Sequence, residues 1–327
     1  MKLTKETLSA LLVGAVDIRE EDGFFVLSRF TEKQTAYYKE KSLDNLYRKV
    51  HASAGMRLEL RTDADALSFN YRVVSASSRT FYSIDLYVDG VFCDEVYVMN
   101  VLRQKGGHVR FALPAGEHRV TVFFSNLMRT DIAEIVLEDA SFAEPIPMKT
   151  KILFLGDSIT QGYDAYHSSL SYANRIARAL DADVLNQAIG GEIFDEGIID
   201  EALSYDPDTV IVAYGTNDWA LQPSREAFLA AADAFFRRLK AFYGNRKLVY
   251  ISPIFRGGVE GKCTAVGAFG DAVEVLKKLS SLHGFHLVDG FTLTPHIEDF
   301  FADKDLHPND LGFAFYAENL LSALKKI

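Results

Sequence analysis

Two patterns of apolar and polar positions succeed one another along the chain. From residue 17 to residue 142 the alternation has a period of two. Residues 56–60, 67–71 and 82–88 place apolar types at every second position, and 82–88 runs into Asp89-Gly90, a pair that tolerates the positive φ of a hairpin turn. The return strand is 91–98. Further strands follow over 108–113, 118–124 and 135–142, with Pro114-Ala115-Gly116 as a turn. Short strands with one wet and one dry face predict an all-β, jelly-roll-like sandwich, with no helix after Tyr47. Glu144-Pro145-Ile146-Pro147-Met148 reads as a linker, because two prolines stiffen it and remove ladder donors.

Beyond it, strands and helices take turns. Apolar runs at 152–155, 184–185, 209–213, 248–251 and 286–288 predict five strands. Helical periodicity predicts helices over 168–180, 196–203, 225–243, 270–283 and 308–326. Uninterrupted apolar strands between helices mean a parallel sheet covered on both faces. The expected domains are therefore 1–148, an accessory β-sandwich, and 149–327, an α/β catalytic domain.

Composition adds exclusions. A chain of 327 residues with 48% hydrophobic types has room for two cores, and 45 acidic against 35 basic residues give a net charge of −10. That sign repels phosphate backbones and anionic membranes, so no nucleic-acid or membrane partner is expected. Two cysteines, Cys93 and Cys263, exclude a disulfide framework and a Cys-rich zinc site, and read as free, mostly buried thiols. Lys2 and Lys5 ahead of the apolar stretch 8–16 loosely resemble a secretory leader. Thr4, Glu6 and Thr7 dilute it, and no A-x-A pattern precedes Arg19-Glu20-Glu21-Asp22, so a cytoplasmic location is expected.

Ligands of open parallel sheets bind beyond the carboxyl ends of the strands. The segments found there are Gly156-Asp157-Ser158-Ile159-Thr160, Asn186-Gln187-Ala188-Ile189-Gly190-Gly191, Tyr214-Gly215-Thr216-Asn217-Asp218 and, before the last helix, Asp305-Leu306-His307. These types suit nucleophilic acyl transfer. A serine needs a base, histidine serves near neutral pH, and a carboxylate fixes its tautomer. In an extended segment Asp305 and His307 would project the same way. The oxyanion needs donors, which the N–H of Ser158 at a strand-to-helix turn, the N–H of Gly191 and the amide of Asn217 could supply.

Taken together, these four segments resemble the four blocks of the SGNH (GDSL-type) hydrolases, in the family's order, over roughly residues 150–327. Ile159 stands where the family name has leucine. The family's spacing from the asparagine, here Asn186, selects Gly191 over Gly190. The resemblance implies a three-layer αβα, flavodoxin-like domain that hydrolyses esters or thioesters without metal or organic cofactor. It implies Ser158 as nucleophile, His307 as base, Asp305 as orienter, and Ser158, Gly191 and Asn217 as oxyanion donors. The leading β domain resembles the one preceding the hydrolase domain in some bacterial carbohydrate acetyl esterases.

Each residue also has a plain structural use. Ser158 could cap the following helix, Asp305 and His307 could form a cap pair, and Asn217 could satisfy a turn. Tyr163, Tyr166 and Trp219 could stack on a sugar ring or merely wall the pocket. The glycine-rich stretch 256–270 reads as a mobile rim loop that shapes the acyl or alcohol pocket or is plain surface. Tyr163, Trp219 and Arg256 are the candidate substrate contacts. His296 is a rival base without a paired aspartate. The function expected is a serine ester hydrolase removing small acyl groups such as acetyl, most naturally from carbohydrate. The alternatives are a lipid or thioester acylhydrolase of broader chain length and a non-catalytic carbohydrate-binding protein. The oligomeric state is open.

Overall fold

The computed structural model describes residues 1–327. In chain order its first half contains α1 (Lys5–Leu11), β1 (Leu12–Val13), β2 (Asp17–Glu21), β3 (Phe24–Ser28), α2 (Glu32–Lys41), α3 (Leu46–Val50), β4 (Arg57–Thr62), β5 (Ala66–Ser75), β6 (Tyr82–Val88), β7 (Val91–Val98), β8 (Gly106–Ala112), β9 (His118–Phe123), β10 (Met128–Glu138) and β11 (Ala143–Pro145). Two antiparallel sheets, β2-β3-β10-β5-β8 and β1-β4-β9-β6-β7, form a sandwich. Their inner faces meet through Leu58, Leu60, Phe69, Ile84, Leu86, Phe111, Val122 and Ile132. Each alternates with an outward residue on its strand, which is the period-two signal. Pro145 does not end the pairing: β11 lies antiparallel on β4, with Ala143 opposite Thr62 and Pro145 opposite Leu60. As the last residue of an edge strand, a proline costs no inner ladder bond.

The second half contains β12 (Thr150–Gly156), α4 (Ser158–Gln161), α5 (Tyr172–Leu180), β13 (Ala182–Asn186), β14 (Thr209–Ala213), α6 (Thr216–Leu221), α7 (Arg225–Tyr243), β15 (Lys247–Ile251), β16 (Cys263–Thr264), β17 (Gly267–Ala268), α8 (Phe269–Leu282), β18 (His286–Val288) and α9 (Asp310–Leu324). The sheet β13-β12-β14-β15-β18 is parallel throughout. Its order is the flavodoxin-like 2-1-3-4-5, with the switch point between β12 and β14. Ile152 and Phe154 face the layer of α5 and α9, and Leu153 and Leu155 face the layer of α7 and α8. Both faces are buried, so the strands read as unbroken apolar runs.

The stretch 196–203 is not the expected helix; only one 3-10 turn forms, over Glu196–Ile198. Its place is taken by α2 and α3. Phe30, Tyr38, Leu46 and Val50 belong to the same buried cluster as Leu155, Leu185, Phe194 and Ile198. The N-terminal segment thus crosses the division expected at residue 148 and covers one edge of the parallel sheet. Helix α2 starts at a capping box: the Thr31 hydroxyl accepts from the Gln34 N–H and the Gln34 side chain accepts from the Thr31 N–H. Thr-Glu-Lys-Gln carried that signal in the sequence. The stretch 256–270 contains the hairpin β16–β17, with Thr264 opposite Gly267. Cys93 and Cys263 are both exposed rather than buried. No helix is long and apolar enough to cross a membrane.

Candidate active site

Ser158 follows β12 directly. Asp157, not Ser158, caps the short helix, its carboxylate accepting from the Ile159 N–H at 3.0 Å. Burial pushes the Asp157 carboxyl up to about 6. With the cap taken by its neighbour, the Ser158 hydroxyl is free to face outward. It lies 2.8 Å from Nε2 of His307. As the first residue of its helix, Ser158 has an N–H with no helical acceptor.

The other side of the imidazole differs from expectation. Nδ1 of His307 faces the Asp303 carboxylate at 2.5 Å. The Asp305 side chain makes no hydrogen bond to the ring; its backbone carbonyl accepts from Gly257 N–H at 2.7 Å. The segment is coiled, not extended. Oδ1 of Asp303 accepts from the N–H groups of Asp305, Leu306 and His307 at 3.3, 2.9 and 2.9 Å, and Lys304 takes the left-handed conformation at φ +74°. An Asx-type turn of this kind brings the residue four back, not two back, under the histidine. Burial raises the Asp303 carboxyl, but the bonds from the His307 ring and from the Leu306 and His307 N–H groups outweigh it and hold it well below the usual range.

A second carboxylate, Asp164, approaches Nδ1 at 3.6 Å. It is clamped by Arg79 of the sandwich, which donates twice at 2.6 Å. The Arg79 guanidinium also lies 5.3 Å over the Tyr163 ring, and Tyr163 stacks on His307 with centroids 5.7 Å apart. Asp164, Asp303 and His307 bring three donor atoms within 4.8 Å of one another, but the positive charge at Asp164 is already supplied by Arg79.

The two glycines of the second block have separate tasks. Gly190 N–H donates to Gln161 Oε1 at 2.7 Å. Gly191 N–H donates to no protein atom. Asn217 Nδ2 donates to Glu192 O at 3.0 Å, which leaves its second hydrogen available. Gly191 has φ +89°, a conformation glycine adopts without strain. Asp218, buried beside this loop, accepts from Phe194 N–H at 2.9 Å, and burial pushes its carboxyl up to about 7.

The loop carrying these glycines is held from outside its own half. Fully buried Arg29 donates to Asn186 O at 2.6 Å and Ala188 O at 2.8 Å, and also to Ala52 O and Lys49 O. Gln34 pairs with Gln187 at 3.0 Å, Lys41 with Glu192 at 2.8 Å, and Lys49 with Gly190 O at 2.5 Å. Gln34 stands in the capping box of α2, but nothing in that motif points to the glycine loop, and Arg29, Lys41 and Lys49 stand in no recognisable motif, so sequence reasoning missed all four.

The expected substrate contacts fare unevenly. Tyr163 and Trp219 are 3% and 4% exposed, so neither offers an open face to a sugar. Trp219 packs on Phe269 and donates to Gly267 O at 2.9 Å, pinning the β16–β17 hairpin. Arg256 is half-buried, donates to Thr216 at 3.3 Å and covers the Trp219 ring at 5.3 Å. Tyr166 is exposed and pairs with Phe81 of the sandwich at 5.3 Å. His296 stacks on Phe255 and donates to or accepts nothing at Ser158; its Nε2 meets Phe291 O.

A hydroxyl on Nε2, a carboxylate on Nδ1 and unused donors alongside can carry a proton from serine to imidazole and receive a developing oxyanion.

Solved structures share this architecture. The salicylyl-acyltransferase SsfX3 of a tetracycline biosynthetic pathway is 22% identical, with a TM-score of 0.78 over 96% of this chain and 94% of that one. A GDSL-like lipase from Bacteroides ovatus, itself described as putative, is 18% identical, with a TM-score of 0.72 over 97% and 95%. A family two carbohydrate esterase from Cellvibrio japonicus is 18% identical, with a TM-score of 0.63 over 96% and 94%. No curated protein matches the chain by sequence. Residues 154–315 match the GDSL-like lipase/acylhydrolase family, and the C-terminal half of the chain belongs to that family.

Proposed function

We propose that the protein is a serine ester hydrolase that works through an acyl-enzyme and removes small acyl groups, acetyl above all, from carbohydrate. The observation that carries the hydrolase reading is the continuous chain Ser158 Oγ, His307 and Asp303, with contacts of 2.8 and 2.5 Å, beside the unused Gly191 N–H. The carboxylate on Nδ1 keeps the proton of the neutral ring there and leaves the Nε2 lone pair towards serine. Ser158 Oγ attacks the ester carbonyl and its proton passes to Nε2. The oxyanion is received by the N–H groups of Ser158 and Gly191 and the amide of Asn217. Nε2 then returns the proton to the departing alcohol as the C–O bond breaks. Water repeats the sequence on the acyl-enzyme, leaving carboxylic acid and free serine.

A short acyl group is supported by the likeness to solved structures that include an acetyl xylan esterase. Carbohydrate as the alcohol is supported by the two-domain likeness to carbohydrate esterases.

In the test, wild type turns over p-nitrophenyl acetate and labels with a fluorophosphonate, and Ser158→Ala loses at least about four orders of magnitude in kcat. Retained turnover in Ser158→Ala would refute the nucleophile. Preference for long acyl chains would favour the broader acylhydrolase. Absence of both labelling and turnover would favour a binding protein. A panel of acetylated sugars then decides the alcohol.

A further inference from the structure

Lys49, on α3, is 7% exposed. Its ammonium donates to the Gly190 carbonyl at 2.5 Å and has no carboxylate partner of its own. The neighbouring acid, Glu192, is paired with Lys41. Buried charges without a counter-ion are costly and call for a use. The Gly190 carbonyl and the Gly191 N–H belong to one planar trans peptide, so they point in opposite directions. An ammonium on the carbonyl side fixes the plane and turns the N–H out on the far side, where no protein atom accepts it. The charge also draws electron density through the peptide and strengthens the N–H as a donor.

We propose that Lys49 is a positioning residue for ester hydrolysis, acting through the Gly190–Gly191 peptide to aim and polarise the Gly191 N–H towards the oxyanion. The proposal rests on the reading of Ser158 as nucleophile. The charged groups around Lys49 are Arg48 on the same helix, Arg79 from the sandwich, and Glu192 on the loop with its partner Lys41 at the end of α2, while the Asn45 amide lies beside Gly191. Burial, with help from Arg48 and Arg79 and against Glu192, lowers the lysine to about 8. The ammonium is thus present at neutral pH and lost above about pH 8, and the strength of the oxyanion donor goes with it.

The test is the pH profile of kcat and kcat/KM for p-nitrophenyl acetate, corrected for spontaneous hydrolysis, in wild type, Lys49→Arg, Lys49→Gln and Lys49→Met. Lys49→Met should lose about 10- to 100-fold in kcat with KM changed far less. Wild type should decline above about pH 8, and Lys49→Arg should move that decline to higher pH. Lys49→Gln, a neutral donor to the same carbonyl, should run between wild type and Lys49→Met with no such limb. A lysine that merely supports the fold would lower the melting temperature and leave the limb where it was. If Lys49→Met matches wild type, or if the limb stays in Lys49→Gln, the proposal is overturned while the hydrolase reading stands. A wild type that neither labels nor turns over would overturn both.

Discussion

The two walls of the candidate active site are built in different ways. The serine–histidine wall is built from one half: Ser158, His307, Asp303 and the turn that coils residues 303–307 all come from the second half and brace one another, and Arg79 of the sandwich reaches them only through Asp164 and Tyr163. The glycine wall is not. Residues 186–192 are gripped by Arg29, Gln34, Lys41 and Lys49, all from the first half. The groups proposed to move protons thus come from one half, with one outside brace from Arg79. The donors proposed to receive negative charge are held by a segment more than a hundred residues away in sequence. The N-terminal half is bonded into the candidate site and is not a detachable neighbour.

The comparison can be broken at either wall. The largest effect after Ser158→Ala is expected on the serine–histidine side. Asp303→Asn should lower kcat by roughly 10³- to 10⁴-fold, because the wrong tautomer is held, whereas Asp305→Asn should stay within a few-fold. Equal losses in the two variants would show that the turn rearranges in solution. On the glycine wall, Asn217→Ala should cost about 100-fold in kcat, with KM little changed.

Arg29→Met tests the grip itself. It strips four buried carbonyls of their donor and should cost about 3 kcal/mol or more in urea unfolding, given roughly 1 kcal/mol for each hydrogen bond and more for a charged donor. A neutral result would mean that water replaces the guanidinium. The smallest effect concerns Asp218. Its folded-state carboxyl holds a proton up to about pH 7, while the unfolded chain releases it near pH 4. The folded state therefore binds more protons across that window, and stability falls as pH rises through it, by on the order of 1 kcal/mol per unit. The fall should be shallower in Asp218→Asn, measured by urea midpoints at pH 5 and pH 8.

What could be read beforehand follows the same divide. The parallel sheet was legible because its strands are buried on both faces, and residues 209–213 and 225–243 have the periods of a strand and a helix. Ser158, Gly191 and Asn217 stood out because each lies where a strand ends, and His307 because it stands just before the last helix. Asp303 was passed over for Asp305 because the reading assumed an extended segment. Only the coiling by three N–H groups on one carboxylate reverses which aspartate faces the ring. Helix 196–203 failed because its apolar pattern is satisfied by α2 packing against it, with Gln34 taking Ile198 O at 2.8 Å. Arg29, Lys49 and Arg79 could not be read at all. A lone cation carries no periodic signal, and its worth depends on carbonyls and carboxylates brought near only by folding.

The shared core under α2 and α3 has a consequence for synthesis. Phe30 and Tyr38 leave the ribosome early, yet their partners Leu155, Leu185 and Phe235 come much later. The nascent amino-terminal segment must keep its greasy side waiting, or lend it to a chaperone, until the downstream sheet exists. A chain that stalls midway would expose that side to aggregation before any catalysis could begin.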